Sequence, residues 1–129
     1  MSWTMAERDE GRILQVVYQG TLATLELRNA THEVLGVMLA KNISRVLLDC
    51  AEAHMEVPAV DVYQLPDVYS ERGISRSQVR AAVVLPKDGY KRDLYEFYED
   101  VCRNRGYFVK LFETEADAWS WLRSDATPD

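Results

Sequence analysis

Apolar positions along the chain fall into short blocks, and their spacing switches between strand-like and helix-like as the polar turns go by. Ile13 to Tyr18 (ILQVVY) is rich in β-branched and aromatic residues, Trp3 to Glu7 can be extended, and Asp9-Glu10-Gly11 between them is turn chemistry. This predicts a hairpin whose first strand lies at a sheet edge. Gly20-Thr21 should end the second strand. From Thr21 to about Lys41, Ala23, Leu27, Ala30, Val34 and Met38 return every three or four positions, which predicts a helix. Asn42, which tolerates left-handed backbone, is placed to stop it.

The stretch Arg45 to Val57 (RVLLDCAEAHMEV) organises the rest. Val46, Leu47 and Leu48 form an unbroken apolar run, which suits a strand buried on both faces at the centre of a parallel sheet. The strand is expected to stop at Asp49-Cys50 and open into a loop over Ala51 to Val57. Pro58 then suits the first position of a helix, with Asp61 near its positive end. Pro66 has no amide to donate, so two short helical pieces are expected, Ala59 to Gln64 and Pro66 to Arg72. Val79 to Leu85 reads as another interior strand. A third helix follows with Leu94, Phe97, Tyr98, Val101 and Cys102 as its apolar stripe, ended by Gly106. Tyr107 to Phe112 is a last strand, and its Lys110 suggests an edge. Thr114 is a good N-cap for a closing helix with Ala118, Trp121 and Leu122 on one side. Strands alternating with helices predict an α/β fold: an N-terminal β-hairpin, then β-α repeats with a mostly parallel sheet and helices packed on it.

Length suits one domain, here residues 1–122, with a frayed tail at 123–129. The chain has 129 residues, with 15 Lys plus Arg against 21 Asp plus Glu and a net charge of -6. Such a field repels phosphate backbones and anionic lipid, which argues against nucleic acid as a partner. The longest strongly apolar run, Val34 to Ala40, is far shorter than the roughly 20 residues of a membrane span. The N-terminus has no apolar leader core, and the two cysteines, Cys50 and Cys102, sit in apolar settings without a pairing pattern. A cytoplasmic protein with reduced thiols is expected.

Several of these segments together resemble the SpoIIAA-like (STAS-like) family of small bacterial domains: the hairpin followed by QGTL, the strand ending in LLDC, the strand AAVVLP and above all RGYFVKLFETEADAWSWL. The resemblance spans about Ile13 to Leu122. It implies the fold of anti-sigma-factor antagonists, which bind a serine-kinase anti-sigma factor and are switched by phosphorylation of a Ser at the start of the helix after the central strand. The matching segment, Ala51 to Asp61 (AEAHMEVPAVD), has no Ser or Thr. With no hydroxyl to carry the phosphate, that switch cannot operate there, although the surface could still bind a partner.

Ligands of open parallel sheets collect beyond the carboxyl ends of the strands. In this chain those ends are Gly20-Thr21, Asp49 to Val57, Pro86 to Arg92 and Glu113-Thr114. Lys87, Lys91 and Arg92 cluster there. They either hold a phosphate or carboxylate beside free helix amides, or are solvated charges paired with Asp88, Asp93 or Glu96. Asp49 lacks the acidic neighbours of a phosphate-accepting site, since Gly20-Thr21-Leu22 supplies none, and is expected to bond backbone amides. Cys50 would need a nearby base to act as a nucleophile, and only His54 is a candidate. His32, His54, Cys50 and Cys102 show no paired metal-ligand spacing, and the six glycines form no phosphate loop or dinucleotide fingerprint. No metal, cofactor or catalytic constellation is expected.

Helical spacing explains Tyr98 and Trp121 as core, whereas Tyr90, Tyr95 and Trp119 lie off the stripes and are candidates for an interface, including self-association. Two readings follow. In the first, the domain binds a protein partner or a second copy in bacterial regulation. In the second, it carries a small anionic or apolar ligand in a pocket bounded by Thr21, His54 and Tyr90, with Asp49 nearby and Lys91 or Arg92 taking the head group. Modification of Ser70, Ser75 or Ser77 is left open by the sequence.

Overall fold

The computed structural model of the protein describes residues 2–74 and 79–124. Its strands and helices follow as β1 (Ser2–Arg8), β2 (Ile13–Ala23), α1 (Thr24–Lys41), β3 (Arg45–Glu56), α2 (Ala59–Glu71), β4 (Arg80–Val84), α3 (Arg92–Asn104), β5 (Phe108–Phe112) and α4 (Glu115–Arg123). One sheet carries the five strands in chain order, β1-β2-β3-β4-β5. β1 and β2 are antiparallel; the remaining pairs are parallel. The expected α/β architecture is therefore present, with the hairpin at one edge and β5, which carries Lys110, at the other.

Local chemistry explains the boundaries. The hairpin turns through Asp9, Glu10 and Gly11, all at positive φ, and glycine accepts that geometry without strain. α1 ends at Asn42, whose left-handed backbone (φ 54) lets Ile43 N donate to Met38 O at 2.9 Å. At α4, Thr114 Oγ1 accepts from Asp117 N at 3.2 Å.

The two faces of the sheet are covered unequally. On one face, Leu14, Val16, Val46, Ala81, Val83 and Val109 pack under α1, α2 and α3. The other face has only α4, whose Ala118 and Leu122 close over Ile13, Leu47, Ala82 and Val84. Two arginines hold α4 down by its C-terminal carbonyls. Arg80, only 8% exposed, donates to Trp121 O at 3.0 Å and to Ser124 O at 2.8 Å, and Arg45 donates to Leu122 O and Ser124 O. Arg123 pairs with Asp9 at 2.8 Å, which adds a contact between the end of α4 and the hairpin turn. Residues 125–129 lie outside the described residues.

Three expectations need correction. α2 is one helix through Pro66. The proline leaves the Val62 carbonyl without its usual amide donor, yet its ring is fully buried, and packing offsets the lost hydrogen bond. β2 does not stop at Gly20-Thr21 but runs to Ala23, so α1 begins at Thr24. Most consequential for function, Ala51 to Glu56 is not a loop: β3 continues through it.

Candidate functional site

Beyond Asp49, β3 outruns β4. Its pairing with β4 ends at Asp49↔Val84, while its pairing with β2 resumes at Gln19↔Glu52 and runs to Ala23↔Glu56. A two-stranded ribbon thus projects past the carboxyl end of the sheet. It starts at a bulge, because Val17 pairs with Asp49 but Gln19 pairs with Glu52, leaving one extra residue in β3. Asp49 serves this irregularity: its Oδ1 accepts from Ala51 N at 3.0 Å. The extra residue also reverses the alternation. Val46 and Cys50 point to the helical layer before the bulge, and Ala53 and Met55 do so after it.

That reversal separates Cys50 from His54. Cys50 is buried under the helices, and burial pushes its thiol up to about 12, where it stays protonated at neutral pH. His54 is exposed on the opposite side of the ribbon and its Nε2 lies 2.9 Å from Asp88 Oδ2. The two do not form a nucleophile-base pair. Among the described residues no three His, Cys, Asp or Glu side chains converge as metal ligands. His32 lies on α1, with Nδ1 3.1 Å from Arg72 Nη1.

The outer side of the ribbon does gather several of the expected residues. Thr21 pairs in register with His54, and the His54 ring lies 4.3 Å from that of Tyr90. Tyr90 sits in the turn before α3, where Asp88 Oδ1 accepts from its amide at 3.0 Å. Its hydroxyl donates to Glu56, and Lys91 Nζ reaches the other oxygen of Glu56 at 2.6 Å. The Glu56 carboxyl is held below the usual range, first by Lys91 and then by Tyr90, and that of Asp88 chiefly by His54. Lys87 pairs with Glu52 at 2.6 Å, and Arg92 with Glu113 and Glu96. Each cation of the cluster therefore faces a carboxylate, and the network straps the turn before α3 onto the ribbon.

Tyr95 requires a correction. Assigned from its spacing to an interface, it is 7% exposed and faces the sheet beneath α3, whereas Phe97, assigned to the stripe, is 37% exposed. Val101 and Cys102 of the expected stripe are buried and Leu94 and Tyr98 pack against the core, so the inner face of α3 differs from the expected one in having Tyr95 in place of Phe97. Trp119 is half-buried; its Nε1 donates to Glu115 Oε1 at 3.0 Å and Arg123 lies over its ring. Ser70 is exposed and its hydroxyl lies 2.8 Å from that of Tyr107; Ser75 and Ser77 fall outside the described residues.

A surface that periodicity did not single out lies where α1 and α2 begin. Thr24 Oγ1 donates to Asp61 Oδ2 at 2.8 Å and so draws the two helix starts together. Beside this bond stand the two most exposed large hydrophobic side chains of the described residues, Leu25 at 66% and Val60 at 62%. Tyr63, 52% exposed, follows Val60 by three positions and shares its helix face. Pro58 and Ala59 are exposed as well. The sequence signal was present in Pro58-Ala59-Val60, an apolar run at a helix start where polar caps are usual.

No family model matches the sequence, and no curated protein matches it. Among solved structures the chain is similar to the anti-sigma factor antagonist SpoIIAA in its unphosphorylated form, at TM-score 0.61 and 10% identity over 95% of this chain and 99% of that one. It is also similar to an anti-sigma factor antagonist from Mycobacterium paratuberculosis, at TM-score 0.62 and 15% identity, with 95% and 96% of the two chains covered. A third neighbour is an uncharacterized DUF3478-family protein with a SpoIIAA-like fold from Shewanella loihica PV-4, at TM-score 0.60 and 21% identity over 93% of each chain. The chain has the SpoIIAA-like (STAS-like) fold.

Proposed function

We propose that the protein is a non-catalytic interaction module of bacterial regulation, and that it docks its protein partner on the surface formed by Leu25, Val60 and Tyr63. The observation that carries this reading is that Leu25 and Val60, the two most exposed large hydrophobics of the described residues, flank the hydrogen bond between Thr24 and Asp61 that joins the starts of α1 and α2, with Tyr63 one turn further along α2. Exposed apolar side chains that cluster mark contact sites, while scattered ones need no explanation. Two solved proteins of this fold are described as anti-sigma factor antagonists, which supports a protein partner. The helix start that carries the family's phosphorylated Ser is here Pro58-Ala59-Val60, so this docking is constitutive and does not answer to phosphorylation at that position. The partner presents an apolar patch to this surface.

The test compares the tagged wild-type protein with a Val60→Glu, Tyr63→Glu variant expressed at native level in the source bacterium. Both sites are largely exposed, so stability should stay within about 0.5 kcal/mol for each substitution. The expected result is a partner that co-purifies with the wild type and is lost from the folded variant. A partner kept by the variant, or none with the wild type, overturns the reading. A wild-type dimer that the variant dissociates assigns the surface to a second copy instead.

A further inference from the structure

Between the helical layer and the sheet lies a cavity of about 80 Å³, walled by Leu27, Leu48, Met55, Leu65, Val83 and Leu94 among others. A second cavity of about 60 Å³ adjoins it, sharing Tyr18, Thr31, Leu48, Tyr69 and Tyr98 as walls. Neither is lined by an Asp, Glu, Lys, Arg or His. Most hydroxyls in the walls are satisfied: those of Tyr69 and Tyr98 bond each other at 2.6 Å, and Thr31 Oγ1 donates to Leu27 O at 2.8 Å. The Tyr95 hydroxyl differs. Its residue is 7% exposed, and among the described residues it meets no oxygen or nitrogen partner, only the Cys50 thiol, a weak hydrogen-bonding group. A thiol is a poorer acceptor than an oxygen, so the Tyr95 hydroxyl keeps most of its capacity to donate to a better partner.

We propose that this chamber binds a small, uncharged, mainly apolar molecule with one hydrogen-bond acceptor, which receives the proton of the Tyr95 hydroxyl. The absence of charge from the walls excludes an ionic ligand, because a buried charge without a counter-charge is strongly disfavoured. Size limits the ligand too. An apolar cavity of about 150 Å³ holds benzene, so these adjoining spaces suit a molecule of about one small ring. The neighbouring Cys50 thiol is protonated and adds no charge. This site lies between the helices and the sheet, apart from Thr21, His54 and Tyr90, and its walls use the inward residues Leu27, Val62 and Leu65 of the helices whose outer faces carry Leu25, Val60 and Tyr63.

Cyclopentanone and cyclopentane, rings of similar size with and without an acceptor, are the probes. Each is titrated into the isotope-labelled whole protein while the Tyr95, Leu48, Met55 and Leu94 resonances are followed. Cyclopentanone should shift them saturably and bind roughly three- to tenfold more tightly than cyclopentane, the worth of one net hydrogen bond. Tyr95→Phe, which keeps the ring and removes the donor, should erase that difference. The proposal is overturned if neither probe moves these resonances, if both bind equally to the wild type, or if Tyr95→Phe leaves the preference intact. Should the variant be too unstable, the contrast between probes on the unaltered protein decides. A single ordered water on Tyr95 that neither probe displaces also overturns it.

Discussion

Replacing Leu122 by Ala tests how the thinly covered face of the sheet is held. Leu122 is fully buried, and with Ala118 it is what α4 contributes to the closed centre of that face, against Ile13, Leu47, Ala82 and Val84. Truncating a fully buried Leu costs about 3–5 kcal/mol, the larger values arising where the site cannot collapse. Collapse is restricted here, because Arg45 and Arg80 pin the end of α4 by its carbonyls. A loss of at least about 3 kcal/mol follows. For a domain whose whole stability is about 5–15 kcal/mol, that is a large fraction. Urea unfolding followed by tryptophan emission reads it directly, since Trp119 and Trp121 are on α4. With a slope of about 2 kcal/mol/M, the midpoint should fall by about 1.5 M. Leu39→Ala, at a site 46% exposed on α1, is the control and should move it little. A midpoint shift under about 0.5 M for Leu122→Ala would refute this account of how α4 is held.

Burial raises both thiols to about 12, so neither Cys50 nor Cys102 should react with a thiol reagent at pH 7.5 on the timescale of exposed thiols, and both should react in urea; fast native labelling of Cys50 would contradict this. Acid should loosen the strap over the ribbon. The carboxyls of Glu56 and Asp88 are depressed in the fold, so their contribution is complete above the unfolded carboxylate pKa of about 4 and disappears as pH falls through the lower folded values. Amide protection of Gly89, Tyr90 and Lys91 should therefore fall relative to β4 between pH 6 and pH 3, and unchanged relative protection would sink that reasoning.

Much of the architecture was legible because periodicity and end signals agreed. The hairpin turn at Asp9 to Gly11, the stop at Asn42, the interior strands at Val46 to Leu48 and Ala81 to Val84, and the Thr114 cap all combine a pattern with a local residue that permits it. The missed half of β3 had a signal of its own. Glu52, His54 and Glu56 alternate with Ala53, Met55 and Val57, the period of a half-buried strand, and the burial follows it. Helix-favouring Ala, Glu and Met obscured it, and the bulge at Cys50-Ala51 broke its phase with the run before. Pro66 was read by its missing amide, when its buried ring decided the outcome. Tyr95 and Phe97 exchanged places because both are aromatic and two positions apart, so hydrophobicity could not choose which faces the sheet. The chamber was out of reach for a different reason. It depends on side chains from β2, β3, β4 and three helices failing to fill a space, and no local pattern encodes that.

The measurement closest to the central claim places a photo-crosslinking amino acid at Val60 and, separately, at Ser120, an exposed residue of α4 across the sheet. Irradiated in living cells, the protein carrying it at position 60 should form one covalent adduct with a different protein, and the protein carrying it at position 120 should not. No adduct from position 60, or the same adduct from both, would contradict a docking surface at the starts of α1 and α2.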